Sequence, residues 1–153
     1  MKKILKSLLL LSGTLLATEN AISYGLGLGQ LYNGVGVNIA LQDTTNMKYV
    51  AVGCIDASYG SYSGWDANCG VALGYVSTTI LSDKNNKHGL GVHIALSDDV
   101  DNVAGTIGVG YTYFVNEISN SGWNFGLTPS LTFIDRETDD KELSVLLNLG
   151  YQF

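Results

Sequence analysis

Few residues of this chain could do covalent chemistry. There are two histidines, His88 and His93, two cysteines, Cys54 and Cys69, and 14 acidic residues. His93 and Ser97 come nearest to a base and a nucleophile. A general base needs hydrogen-bond reach and a third group to orient it. In "GLGVHIALS" no carboxylate is placed to orient His93. Its plainer role is a histidine hydrogen-bonded to Thr or Asn neighbours, and no catalytic residue is assigned. His88 adjoins "KNNK", a turn sequence in which Asn tolerates positive φ. No metal-ligand spacing or nucleic-acid patch is present, so no metal centre, cofactor or nucleic acid is expected. "GLGLGQL" imitates a phosphate-binding loop, but its glycines alternate along a strand and no helix follows. "SDDVDN" lacks the ligand spacing and glycine of an EF-hand.

The elements that would position these residues have a period of two. Eight runs alternate large apolar with small or polar residues, which is the mark of two-faced strands. Ile22, Tyr24, Leu26 and Leu28 alternate with Ser23, Gly25, Gly27 and Gly29. Val35, Val37, Ile39 and Leu41 follow across "YNGV", whose Asn-Gly is a strong hairpin signal. "MKYVAVGC" and "CGVALGYVSTTIL" are the third and fourth runs. Leu90 to Leu96 form the fifth, Val103 to Tyr113 the sixth, Trp123 to Phe133 the seventh and Leu143 to Phe153 the eighth. The expected fold is all-β, an eight-stranded antiparallel up-and-down transmembrane β-barrel over residues 22–153. A soluble barrel would carry Lys, Glu and Asp on one face. Here the small-residue face lacks charge, and Lys48 is the only charged strand residue expected. Charged residues are 14% of the chain, well under the usual quarter.

Lys2, Lys3 and Lys6 precede the apolar "LLLLSGTLLA", which reads as a secretory signal peptide over residues 1–17, cut after Ala17 or Ala21. The apolar run is too short to span a bilayer as a helix. Removal of residues 1–17 leaves five basic against 14 acidic residues, a net charge of −9. An even cysteine count in an exported chain points to a disulfide between Cys54 and Cys69. That pair sets Val52 against Val71, Val50 against Leu73 and Lys48 against Tyr75, which aligns the apolar faces of both strands.

The chain resembles the small eight-stranded outer-membrane barrels of Gram-negative bacteria. The resemblance rests on the signal peptide, the strand count and the C-terminal "LGYQF", and covers residues 22–153. It implies location in the cell outer membrane among outer-membrane lipid and lipopolysaccharide. It also implies an assembly signal, Leu147, Leu149, Tyr151 and Phe153, read by the barrel-assembly machinery. With both chain ends on the periplasmic side, Tyr24, Tyr111, Tyr113, Trp123, Phe125, Tyr151 and Phe153 form one aromatic girdle. Residues 30–34, 55–68, 97–102 and 134–142 become outer loops, and turns near 43–47, 82–88 and 116–122 face inward. The outer loops hold ten of the 14 acids, a candidate seat for divalent cations. Within them "DASYGSYSGWDAN" offers Tyr59, Tyr62 and Trp65 as a contact surface.

The lumen face is mainly Gly, Ala, Ser, Thr and Asn, with His93, Asn38 and Asn148 as the candidate polar site. Either the barrel narrows over its glycines or a cavity remains for water or one acyl chain. Some barrels of this size act on lipid A, but the His-x-Ser pattern of the deacylases is absent. The favoured role is non-enzymatic, structural or in surface interaction. The alternatives are an acyl-binding lumen, a lipid A-modifying enzyme or a narrow pore.

Overall fold

A computed structural model describes residues 20–60, 64–82, 84–99, 102–134 and 140–153. For 55–60, 64–67, 98–99, 102, 134 and 140 it describes the backbone alone. The expected signal peptide and Tyr62 lie outside the described residues, and the side chains of Tyr59 and Trp65 do also.

Eight antiparallel strands close into an up-and-down barrel in which each strand pairs with the next and β8 with β1. They are β1 Ala21–Gly29, β2 Gly34–Gln42, β3 Asn46–Gly60, β4 Gly64–Ser77, β5 His88–Asp99, β6 Asn102–Phe114, β7 Gly122–Ile134 and β8 Asp140–Gln152. The expected all-β barrel is therefore the fold observed. From Gly27, partners run through Gly36, Gly53, Gly70, Ser97, Ala104 and Ile134 to Asp140. Gly27 itself pairs with Gly150, so one circuit of the wall staggers by ten residues. Over eight strands that stagger tilts the strands by roughly 40° and leaves an interior just wide enough for side chains.

The cysteines fix the register as their spacing implies. Cys54 and Cys69 are disulfide-bonded partners, with Val52 opposite Val71, Val50 opposite Leu73 and Lys48 opposite Tyr75.

The strands overrun the expected loops. Beyond a register shift after Cys54, β3 and β4 stay paired as far as Gly60 and Gly64, so most of 55–68 is strand. Asp56, Asp66, Asp98, Asp99, Asp140, Lys141 and Glu142 consequently lie in strands, and Lys48 is not the only charged strand residue. The reason is physical: alternation reports where apolar side chains are needed, whereas a backbone ladder continues wherever its N–H and C=O groups find partners.

The wall is uneven. β1 and β8 share four residue pairs, from Gly25 opposite Gln152 to Leu28 opposite Leu149. Above them the chain leaves the wall at Gly29, and β8 continues to Asp140 paired with β7 alone among the described residues. At the other end, Asp43 closes the β2–β3 turn. Its Oδ1 accepts hydrogen bonds from the Thr45 and Asn46 backbone N–H groups, each at 2.8 Å.

Candidate functional site

Residues 30–34, expected as an outer loop, instead fold into the lumen. A single 3-10 turn, Gln30–Tyr32, joins β1 to β2, and all three of its residues are buried. Gly29 (φ 93°), Asn33 (φ 54°) and Gly34 (φ 92°) turn the chain inward and back. Such positive φ values suit Gly and Asn best. The Asn-Gly signal thus marks a real reversal, but a longer and inverted one.

A row of glycines receives this plug. Gly150, Gly27, Gly36, Gly53 and Gly70 are successive partners across β8, β1, β2, β3 and β4, all facing inward. The Tyr32 ring lies against Gly27 and Gly150, where an added Cβ would stand 2.7 Å and 2.3 Å from ring carbons. The Tyr32 carbonyl lies as closely over Gly36 and Gly53. Tyr32 is wholly buried, and its hydroxyl accepts a hydrogen bond from Asn124 Nδ2 at 2.7 Å.

Two of the three predicted lumen residues hold the plug. Asn148 Oδ1 accepts from the Gln30 backbone N–H, and from that of Leu31 at 3.4 Å. Its Nδ2 donates to Thr128 Oγ1 at 3.0 Å. Asn38 Nδ2 donates to the Leu31 carbonyl at 3.0 Å, and its Oδ1 accepts from Gln152 Nε2 at 3.2 Å. Gln152 Nε2 also donates to Ser23 Oγ at 2.8 Å. Buried polar groups are stable only when hydrogen-bonded, and this network satisfies most of the lumen.

His93 stands apart from that clasp. Its Nδ1 shares a 3.1 Å hydrogen bond with the Tyr49 hydroxyl, and Tyr49 fills the space left by Gly74. Ser97 faces inward on the same strand, but four residues of strand separate it from His93 by about 13 Å. The pair cannot act as base and nucleophile. No cluster of metal-ligating side chains occurs among the described residues. Between Gln30, Tyr49, His93, Thr112, Thr128 and Asn148 lies a cavity of about 10 Å³. That is room for about one water molecule, and far too little for an acyl chain.

The outward face is the opposite of a soluble surface. Every strand presents exposed apolar side chains, including Ile22, Val37, Val52, Leu73, Ile94, Val109, Leu127 and Leu147. The predicted girdle residues gather at the end that carries the chain termini. Tyr24, Tyr111, Trp123, Phe125 and Phe153 are exposed there, with Tyr113 and Tyr151 half-buried. Tyr151 packs edge-on against Trp123 at 5.5 Å and tilted against Phe153 at 4.9 Å. His88 Nδ1 meets the Tyr111 hydroxyl at 2.6 Å. Leu147, Leu149 and Tyr151 alternate down β8 with outward faces, and Phe153 follows its end. Tyr59 and Trp65 are partners across the extended β3–β4 hairpin.

Comparison with protein-family models, with curated proteins and with solved structures finds no match for this chain.

The plug residues Gln30, Leu31 and Tyr32 are what sequence reading missed. Their signal was present: a Tyr flanked by turn-forming residues, and glycines on facing strands. Those glycines align into one row only when the register of five strands is known.

Proposed function

We propose that this chain is a non-enzymatic β-barrel of the bacterial outer membrane, with a structural or surface-interaction role at its loop end. One observation carries the reading. Exposed apolar side chains girdle all eight strands, while Ser, Asn, Thr and Gln are buried inside. In water such an outer face would be a very large sticky patch. In a bilayer it is the proper surface, and closure of the strands satisfies the backbone where no water is present. The aromatic end then lies at the periplasmic interface. The β8 terminus presents "LGYQF" to the assembly machinery, and the opposite end meets lipopolysaccharide, with divalent cations bridging its acidic positions.

The stoppered lumen supports the non-enzymatic reading over the acyl-binding and pore alternatives. The cavity beside the plug, among the described residues, is too small for an acyl chain, and His93 is engaged by Tyr49. The extended β3–β4 hairpin, with Tyr59 opposite Trp65, is the best contact surface the fold offers. The test is fractionation of cells expressing the chain, followed by gel electrophoresis of heated and unheated samples. Outer-membrane recovery and a heat-dependent mobility shift are expected. A water-soluble monomer without that shift refutes the reading.

A further inference from the structure

We propose that Lys48 and the trough beside it bind one anionic phospholipid on the outer wall of β2–β4. The inference rests on the membrane reading above. Outward side chains of two rows line the trough: Leu41 and Lys48 are partners in one, with Tyr75 next across the wall beyond Lys48, and Ile39, Val50 and Leu73 are successive partners in the other. The trough is shallow and open along the outer wall, and it is almost entirely apolar. Its one charged group is Lys48, at the end nearer the chain termini.

Charge complementarity names the occupant. Lys48 is exposed and forms no ion pair with any described residue. Asp43, the acid of the adjoining turn, commits its carboxylate to Thr45 and Asn46 instead. Beside Lys48, the Tyr75 hydroxyl donates to Asn46 Oδ1 at 2.7 Å, which fixes the ring at the rim and leaves its oxygen lone pairs to accept. A cation beside a tyrosine at the mouth of an apolar trough matches an amphiphile with a phosphate head and a hydrocarbon tail. A Lys ammonium binds phosphate as a point charge and reaches an interface on its flexible stem. Elsewhere on this rim the Trp123–Tyr151–Phe153 group offers rings without a cation. Among the other described lysines, Lys84 and Lys87 lie in the turn between β4 and β5, and Lys141 stands at the opposite end with its Nζ 5.9 Å from the centre of the Phe133 ring.

The experiment is native mass spectrometry of the folded barrel released from non-ionic micelles doped with phosphatidylglycerol or with phosphatidylcholine of the same acyl chains. Wild type should retain one phosphatidylglycerol in clear excess over phosphatidylcholine. Lys48→Gln should fall to the phosphatidylcholine level, while Lys48→Arg and Lys141→Gln should retain the lipid. Equal retention of both lipids by wild type, or undiminished retention by Lys48→Gln, overturns the proposal. Those outcomes leave the membrane reading intact, because they are read on a barrel that enters micelles. A chain that stays soluble without detergent sinks the membrane reading and this one with it.

Discussion

If Tyr32 is the stopper and Gly150 its seat, the two positions must be coupled, and one pair of substitutions measures it. All three nearest neighbours of a Cβ added at Gly150 are Tyr32 side-chain atoms, the ring carbons Cε2 and Cζ and the hydroxyl Oη. Gly150→Ala alone should therefore cost about 1–3 kcal/mol as overpacking. Tyr32→Ala removes a wholly buried aromatic, a loss of about 3–5 kcal/mol, with water entering the lumen to hold it near the lower figure. It also strips Asn124 Nδ2 of its acceptor. Once the ring is gone, the three closest obstructions to the methyl group introduced by Gly150→Ala are gone with it. The substitution then gains about 0.5–1 kcal/mol from replacing Gly in a strand. The double variant should thus be less destabilised than the two singles added, by about 1.5–4 kcal/mol. Gly27→Ala is the contrast, because its Cβ also meets the Leu149 carbonyl at 2.5 Å and Gly150 Cα at 2.6 Å. Removing the Tyr32 ring leaves that backbone clash in place. The assay is urea unfolding of the barrel in micelles, followed by tryptophan fluorescence and gel mobility. Effects of Tyr32→Ala and Gly150→Ala that add to within about 0.5 kcal/mol would refute the seat.

The remaining predictions use the same unfolding assay. Leu147→Arg, on the outward face of β8 and 74% exposed, should cost about 2–4 kcal/mol if it lies near the bilayer midplane; an effect near zero in vesicles places that face in water. Reduction of the Cys54–Cys69 disulfide, whose cysteines are 15 residues apart, should lower stability by up to about 3 kcal/mol, less where the paired strands already restrain the reduced chain, and Cys54→Ser should reproduce it without further loss on adding reductant. Asp43 is held below the ordinary carboxyl value: partial burial pushes it up, but hydrogen bonds from Thr45 and Asn46 outweigh that. Its folded form is therefore favoured above the unfolded carboxyl pKa of about 4 and loses that advantage as pH falls through the lower folded value. Asp43→Asn should flatten this acid-side decline, and an unchanged pH profile would show that the turn contributes nothing.

Much of the barrel was legible because alternation is a direct imprint of a two-faced wall. Val35, Val37 and Ile39 recur at every second position, so they share one side of the wall, and the period of two fixed which residues join them. The pairing of Cys54 with Cys69 went further, because one covalent link sets the register of a whole hairpin. Three features were hidden. Strand ends at 55–60 and 64–68 leave no alternation to read, since a ladder above the apolar belt needs only backbone groups. The plug was hidden because its partners on the last strand are remote: Asn148 lies 118 residues from Gln30 along the chain, and Gly150 is further still. Small lumen residues suggested either a narrowed wall or a void; a segment of the same chain filling the space leaves the same composition. His93 and Asn38 are buried in the lumen, and nothing local shows that Asn38 grips Leu31 while His93 meets Tyr49.

The plug and the weak seam of the barrel are one device. β1 and β8 must close the wall, yet they share only four residue pairs before β1 turns inward. A barrel interior of this size is normally filled by side chains from its own strands, and here five facing positions are glycine. The turn that abandons the wall supplies what those glycines withhold. In doing so it ties the seam from within. Asn148 of β8 holds the Gln30 and Leu31 N–H groups, the Tyr32 ring bears on Gly27 of β1 and Gly150 of β8, and Gln152 of β8 reaches Ser23 and Asn38. At the other end the Phe153 N–H donates to the Tyr24 carbonyl at 2.7 Å. Closure of the first strand on the last is thus coupled to filling of the lumen. A chain that brings β8 into place last would seat the plug in the same step, and neither feature should persist without the other.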